Sequence, residues 1–207
     1  RDGRYIATRA TAATNRQELI SLMVGRELKE SYPARTVAPR AVALEVRHLS
    51  GAGDTDISFS VRKGEILGLS GLVGAGRTEL ARLLVGADRL AGGEVVLDGR
   101  ALRLRSPRDA IAAGICLLTE DRQGQGLVLG LPARENFALG NLDLWSRGGW
   151  LDRRSEAAAF ARFAAQLRLK VSSPRLVAGE LSGGNQQKLL LARWLARDAR
   201  VVIVDEP

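Results

Sequence analysis

Three short stretches carry residue types and spacings suited to handling phosphate. The first is Gly71-Leu72-Val73-Gly74-Ala75-Gly76-Arg77-Thr78. Its glycines let the backbone curl so that successive N–H groups face one point, and a helix starting at its end adds potential favourable to an anion. The mostly apolar run Glu65–Ser70 before it reads as a buried strand, and Thr78–Val85 reads as a helix that Gly86 ends. That strand–loop–helix order is what a phosphate loop requires. Thr78 offers a hydroxyl for Mg²⁺. Arg77 stands where the motif has Lys, and its broad planar fork cannot sit between two phosphates as a compact ammonium does. Binding is therefore expected to survive better than hydrolysis. Taken alone, the segment reads equally as a Gly-rich turn with no ligand.

The second stretch, Leu181-Ser182-Gly183-Gly184-Asn185-Gln186-Gln187-Lys188, puts a serine and two glycines at the start of a helix expected over about 184–197. A hydroxyl and free N–H groups there suit an anion by the same physics, although Ser182 also makes an ordinary helix cap. The third is Val201-Val202-Ile203-Val204-Asp205-Glu206-Pro207, an apolar strand expected to be buried on both faces and to end in two acids. This strand with its two acids resembles Walker B, which implies Mg²⁺ held through water by Asp205 and a general base in Glu206.

These stretches must be carried by an α/β scaffold. Val42, Leu44 and Val46 alternate as in a strand, and so do Ile57, Phe59 and Val61. Val95–Leu97 reads as a strand leading into an Asp98-Gly99 turn, and Ile115–Leu118 as a buried strand. Ser155–Leu169 reads as an amphipathic helix with Phe160, Phe163 and Leu167 on one face. Strands alternating with helices indicate α/β architecture, with an antiparallel β portion in the early part. Residues 1–28 form a separate segment. Asp2-Gly3 is a turn signal, Tyr5-Ile6-Ala7 is β-like, and Asn15 caps a helix carrying Leu19, Ile20, Leu22 and Met23, which Gly25 ends. Residues 29–40, with two prolines and mixed charge, read as a linker, which leaves 41–207 as the main domain.

Composition removes several alternatives. One Cys and one His exclude a disulfide framework and a His/Cys metal site. Cys116, in an apolar run, reads as a buried inert thiol, and His48 as structural or solvated. No stretch is long and apolar enough to span a membrane. The net charge of +8 invites nucleic-acid binding, but the basic residues are mostly scattered arginines with little aromatic interleaving, so none is expected. The chain begins without Met and stops behind an apolar strand, which suggests a piece of a longer protein.

The run Leu181–Lys188, about one hundred residues after the phosphate loop, resembles the signature of ATP-binding cassettes. The chain is further similar to the second cassette of double-cassette monosaccharide importers of the ribose, galactose and xylose type. The residues that carry this are GLVGAGRTEL at 71–80, TEDR at 119–122, GLVLG at 126–130 and the pair Glu135-Asn136. RDGRYIATR with ELISLMVGREL near the start resembles the tail of a first cassette. The Arg of the phosphate loop is typical of that second half.

The resemblance implies a P-loop NTPase fold of the cassette type with a helical subdomain. It implies ATP held by Gly71, Gly74, Ala75, Gly76, Arg77 and Thr78 on one side and by Ser182, Gly183, Gly184 and Gln186 across a dimer. Mg²⁺ falls to Thr78 and Asp205, with Glu120 occupying the place of a usual Gln, and catalysis falls to Glu206. Glu120 reads alternatively as a solvated loop acid. The implied partners are an upstream cassette or a second copy, an integral-membrane sugar permease and, indirectly, a periplasmic or extracellular sugar-binding protein. The implied location is the cytoplasmic face of a bacterial plasma membrane, held peripherally. Two rival readings remain: a non-transport cassette acting on ribosomes or DNA, and a regulatory module that binds ATP without hydrolysing it.

Overall fold

The computed structural model describes residues 5–24, 40–72 and 74–206. The chain divides into two units, Arg1–Ala38 and Pro39–Pro207. In the first, a 3-10 turn at Thr11–Ala13 precedes helix α1, Arg16–Val24. Asn15 Oδ1 accepts the Glu18 N–H at 2.8 Å, the capping bond expected of that residue. Tyr5-Ile6-Ala7 is not a strand, because no neighbouring strand among the described residues offers it a ladder. The Asp2-Gly3 turn, Gly25 and linker residues 29–39 lie outside the described residues.

The second unit opens with strands β1 (Val42–Gly51), β2 (Asp54–Arg62), β3 (Gly92–Leu97) and β4 (Arg100–Leu102), an antiparallel sheet in the order β2-β1-β3-β4. Leu44 pairs with Leu97 and Val46 with Val95 across β1 and β3. Side chains alternate across a pleat, so Leu44, Val46, Val95 and Leu97 share one buried face. Helix α2, Arg77–Leu84, lays Leu80, Leu83 and Leu84 into the same cluster. Gly86, at φ 66°, takes the left-handed conformation that turns the chain after this helix.

Helix α3, Pro107–Ala113, was not foreseen from periodicity, although Ser106, Pro107 and Asp109 are start signals and Gly114 (φ 93°) is a stop. It feeds β5, Ile115–Leu118. β5 pairs in parallel with β8, Val201–Val204, with Ile115 opposite Val201 and Leu118 opposite Val204. Between them lies the helical part. It comprises α4 (Ala133–Leu139), α5 (Leu142–Trp145), the short hairpin β6–β7 (Ser146–Arg147, Trp150–Leu151), α6 (Arg153–Gln166) and α7 (Gly183–Ala196).

Phe137 of α4 is fully buried at the centre of this part. It meets Phe160 edge-on at 5.7 Å, Phe163 at 6.0 Å and Trp145 at 6.0 Å. Truncating such a side chain costs about 3–5 kcal/mol. Its neighbour Asn136, also fully buried, accepts from Val128 N and donates to the carbonyls of Val128, Leu131 and Pro132. The Glu135-Asn136 pair thus includes a staple that satisfies the turn before α4, where unpaired carbonyls would be costly.

The structure corrects two expectations. Glu65–Ser70 is not a buried strand: it joins no ladder, and Ile66 is 97% and Leu69 48% exposed. Strand β8 forms but is half-exposed, with Val202 at 36% and Val204 at 44%. An open cavity of about 700 Å³ is lined by β8, Ile66–Leu69 and Leu80, and among the described residues no ladder joins the two segments.

Candidate functional site

The phosphate loop occupies the junction into α2. Gly74 (φ 84°) and Gly76 (φ 81°) hold left-handed conformations that side chains disfavour, and Ala75 N donates to Leu72 O at 3.0 Å to close the turn. A Cβ on Gly71 would meet the Ala75 Cβ at 2.8 Å, whereas at Gly74 it would meet nothing. The loop is therefore tightly wound at its base and open at its tip. Arg77 and Thr78 begin α2, and the Thr78 side chain lies on the exposed side.

Two carboxylates converge on this junction. Asp54 of β2 stands against the Gly76 α-carbon, and its Oδ2 is buried with no hydrogen-bond partner among the described residues. Arg77 Nη2 donates to Glu206 Oε1 at 3.3 Å. The open tip of the loop, the start of α2 and the Arg77 guanidinium suit the phosphates of a nucleotide, whereas the Asp54 carboxylate adds a like charge at its base.

The parallel pair supplies the acids. Asp205 N donates to Leu118 O, so Asp205 and Glu206 leave β8 beside the loop that leaves β5 at Thr119-Glu120. Asp205 is 9% exposed, while Glu206 is open to solvent and strained, with φ 45° in a non-glycine residue. Glu120 is exposed on the same edge. No three His, Cys, Asp or Glu side chains cluster tightly enough among the described residues to hold a metal alone. Any Mg²⁺ here would rely on Asp205, the Thr78 hydroxyl, phosphate oxygens and water, the sparse protein ligation usual for that ion.

The Ser182 run opens α7, a fourteen-residue helix, with Ser182 as its N-cap. The Ser182 Oγ accepts from Asn185 Nδ2 at 2.9 Å, and Ser182, Gly183 and Gly184 are all exposed. Gln186 is a correction. It is 3% exposed and its Nε2 donates to Ala178 O at 3.2 Å, because it lies on the stripe with Leu189, Leu190 and Arg193 that α7 buries. None of Ser182, Gly183 and Gly184 lines the cavity that Arg77, Asp205 and Glu206 share. The structure thus assembles phosphate loop and acids in one place and presents the Ser182 run at another.

Residues that sequence reasoning passed over include Asp54, Arg122 and Arg193. Arg193 of α7 is buried with no carboxylate partner among the described residues, and desolvation pulls its guanidinium down to about 10. It donates to the carbonyls of Gly126 and Asn136, each at 2.8 Å. Helical spacing from Leu189 and Leu190 was the signal that it faces inward. Cys116 is fully buried and its thiol is pushed up to about 11 by desolvation, which leaves it inert as expected. His48 lies at the surface, with Nδ1 at 2.6 Å from Asp56 Oδ1.

The fold matches solved cassettes. The structure superposes on a nucleotide-free ATP-binding cassette of an ABC transporter with a TM-score of 0.66 at 21% identity, covering 81% of this chain and 70% of that one. A dimeric cassette in a post-hydrolysis state with ADP and Pi gives 0.65 at 19% identity, over 79% and 74%. In sequence, the chain is 46% identical to the ribose import ATP-binding protein RbsA of Bacillus licheniformis and 46% identical to RbsA 2 of Streptomyces avermitilis. Each match covers all of this chain but only 42% and 41% of those proteins. The ABC transporter family model matches residues 55–207, from the start of the β1–β2 hairpin's second strand to the paired acids. By that span and those identities, this chain belongs to the ABC transporter family.

Proposed function

We propose that this chain is the second nucleotide-binding half of a double-cassette ATPase that drives monosaccharide import through a membrane permease. The observation that carries the reading is the pairing of a phosphate loop at α2 with a separate, solvent-facing Ser182-Gly183-Gly184 start at α7, in a chain whose relatives are named for ribose import. ATP then lies between two cassettes, touched by the phosphate loop of one and the signature of the other. Gly71, Gly74, Ala75, Gly76, Arg77 and Thr78 hold the phosphates on the loop side. Ser182, Gly183 and Gly184 meet the nucleotide of the opposing half.

Thr78 and Asp205, with Glu120, are the residues that would hold a Mg²⁺ ion, which would supply neutralisation of phosphate charge. Glu206 takes a proton from the attacking water, and its Oε1 contact with Arg77 lowers its strength as a base. That pair supports a half that hydrolyses slowly. The partners are an upstream cassette of the same protein or a second copy, the permease, and indirectly a sugar-binding protein. Docking on the permease places the chain at the cytoplasmic membrane face, and no described helix is long and apolar enough to cross a membrane itself.

The test is co-purification of the full-length protein with an integral-membrane permease, followed by phosphate release in proteoliposomes with and without sugar. Sugar-stimulated release supports the reading. Recovery with RNA or ribosomes instead of a permease overturns it.

A further inference from the structure

The turn between the β5 edge and α4 is strapped along α7 at both of its ends. The chain leaves β5 through Thr119 and Glu120 and makes a single π-helical turn, Arg122–Gly126. Asp121 closes that turn by accepting the Gly124 N–H at 2.8 Å. At its front, Arg122 Nη1 donates to Gly183 O at 3.0 Å. At its rear, Arg193 Nη1, buried in α7, donates to Gly126 O at 2.8 Å. Between the two pins the turn lies directly on the helix, since a Cβ on Gly126 would come within 2.8 Å of the Leu190 Cδ1.

The front pin acts on a particular peptide. A peptide unit is planar, so the Gly183 carbonyl and the Gly184 N–H share one plane and point in opposite directions. Holding the carbonyl therefore aims the N–H. Gly183 and Gly184 form the first turn of α7, closed by the Asn185 and Gln186 N–H groups on Ser182 O, and Arg122 adds a side-chain donor to the Gly183 carbonyl from outside the helix. Arg122 makes no ion pair among the described residues and stands beside the positive end of α7, an unfavourable place for a cation. The carbonyl contact is what its guanidinium gains there.

We propose that Arg122 is a positioning residue of the signature: it sets the Gly183–Gly184 peptide and ties it to the loop carrying Glu120, so that the acid beside one nucleotide and the N–H groups offered to another move together. This rests on the reading of Ser182–Gly184 as a nucleotide contact. Arg122 itself need not touch nucleotide.

The experiment uses the full-length protein assembled with its permease, carrying Arg122→Ala, Arg122→Gln, Arg122→Lys or Ser182→Arg. It measures kcat and KM for ATP, equilibrium binding of a fluorescent ATP analogue to the open protein, and Tm. Arg122→Ala and Arg122→Gln are expected to lower kcat about tenfold, as misaimed groups do, with analogue binding and Tm unchanged. Arg122→Lys, which keeps a charged donor, recovers most of the loss. The proposal is overturned if kcat in Arg122→Ala stays at wild type while Ser182→Arg is inactive. It is equally overturned if kcat, analogue binding and Tm fall together without rescue by Lys, which is the pattern of a merely structural residue. An active Ser182→Arg overturns the signature reading itself, a separate result.

Discussion

The Arg77 guanidinium and the Glu206 carboxylate, 129 positions apart in sequence, meet at 3.3 Å with both side chains partly open to solvent. The group that should contact phosphate and the group that should activate water thus neutralise each other. A pair this exposed contributes little to stability. Nucleotide phosphate and Glu206 are two anions offered to one guanidinium, so the pair opposes phosphate binding at Arg77.

The two composite sites of the complete ATPase should for this reason be unequal. Removing one contact to charge developing in a transition state costs roughly 10²–10³ in rate, but Arg77 is already a compromised contact. Ser182→Arg is expected nearly to abolish sugar-stimulated phosphate release of the assembled importer, with Arg77→Ala distinctly milder. Equal losses in two variants shown to assemble would mean equivalent sites.

Glu156 offers a stability test with a definite sign. It is 2% exposed, and desolvation raises its carboxyl above the ordinary 4.5 despite Arg134 at 3.3 Å. An acid that holds its proton more tightly when folded makes the protein lose stability as pH climbs from the ordinary value through the raised one. Glu156→Gln should therefore match wild type near pH 4 and melt higher than wild type at pH 7.5. A variant that melts lower at pH 7.5 would show that the Arg134 pair outweighs the desolvation.

Cys116 should be chemically silent in the folded protein. Its thiol is held up at about 11 and is fully buried. An alkylating reagent at pH 8 is expected to leave it unmodified for hours and to label it fully in denaturant. Stoichiometric labelling under native conditions would mean that β5 opens readily.

The 207-residue chain by itself should associate and turn over little ATP. Ile66, Leu69, Val202 and Val204 line an open apolar gap, and among the described residues β8 pairs with β5 alone. Sedimentation should show concentration-dependent oligomers, reduced by Val204→Lys. A monodisperse monomer with steady Mg²⁺-dependent hydrolysis would contradict both expectations.

Much of the scaffold was legible because its side chains obey one period. Leu44 and Val46 alternate into the core, and Phe160 and Phe163 fall on the buried side of α6. The Gly74, Gly76 and Ser182 runs were legible because their chemistry is local to a few residues. What sequence did not show depends on distant neighbours. Glu65–Ser70 has the composition of a strand but no ladder, and β8 has one neighbour where two-sided burial needs two. Gln186 was assigned to ligand, yet its spacing to Leu189, Leu190 and Arg193 already put it on the buried stripe. Arg122 could not be tied to Gly183 from sequence, because 61 positions separate them.

The parallel pairing of β5 with β8 also says when the site comes into being. It closes a loop of roughly 85 residues, and contacts of such separation form late, after hairpins and helices have organised. β1–β2 needs only near neighbours, whereas Asp205 and Glu206 reach Arg77 only once β8 has docked on β5. The phosphate loop is therefore expected to acquire its acids after the hairpin has formed. A substitution that slows this step would lower the yield of competent molecules without altering the finished structure.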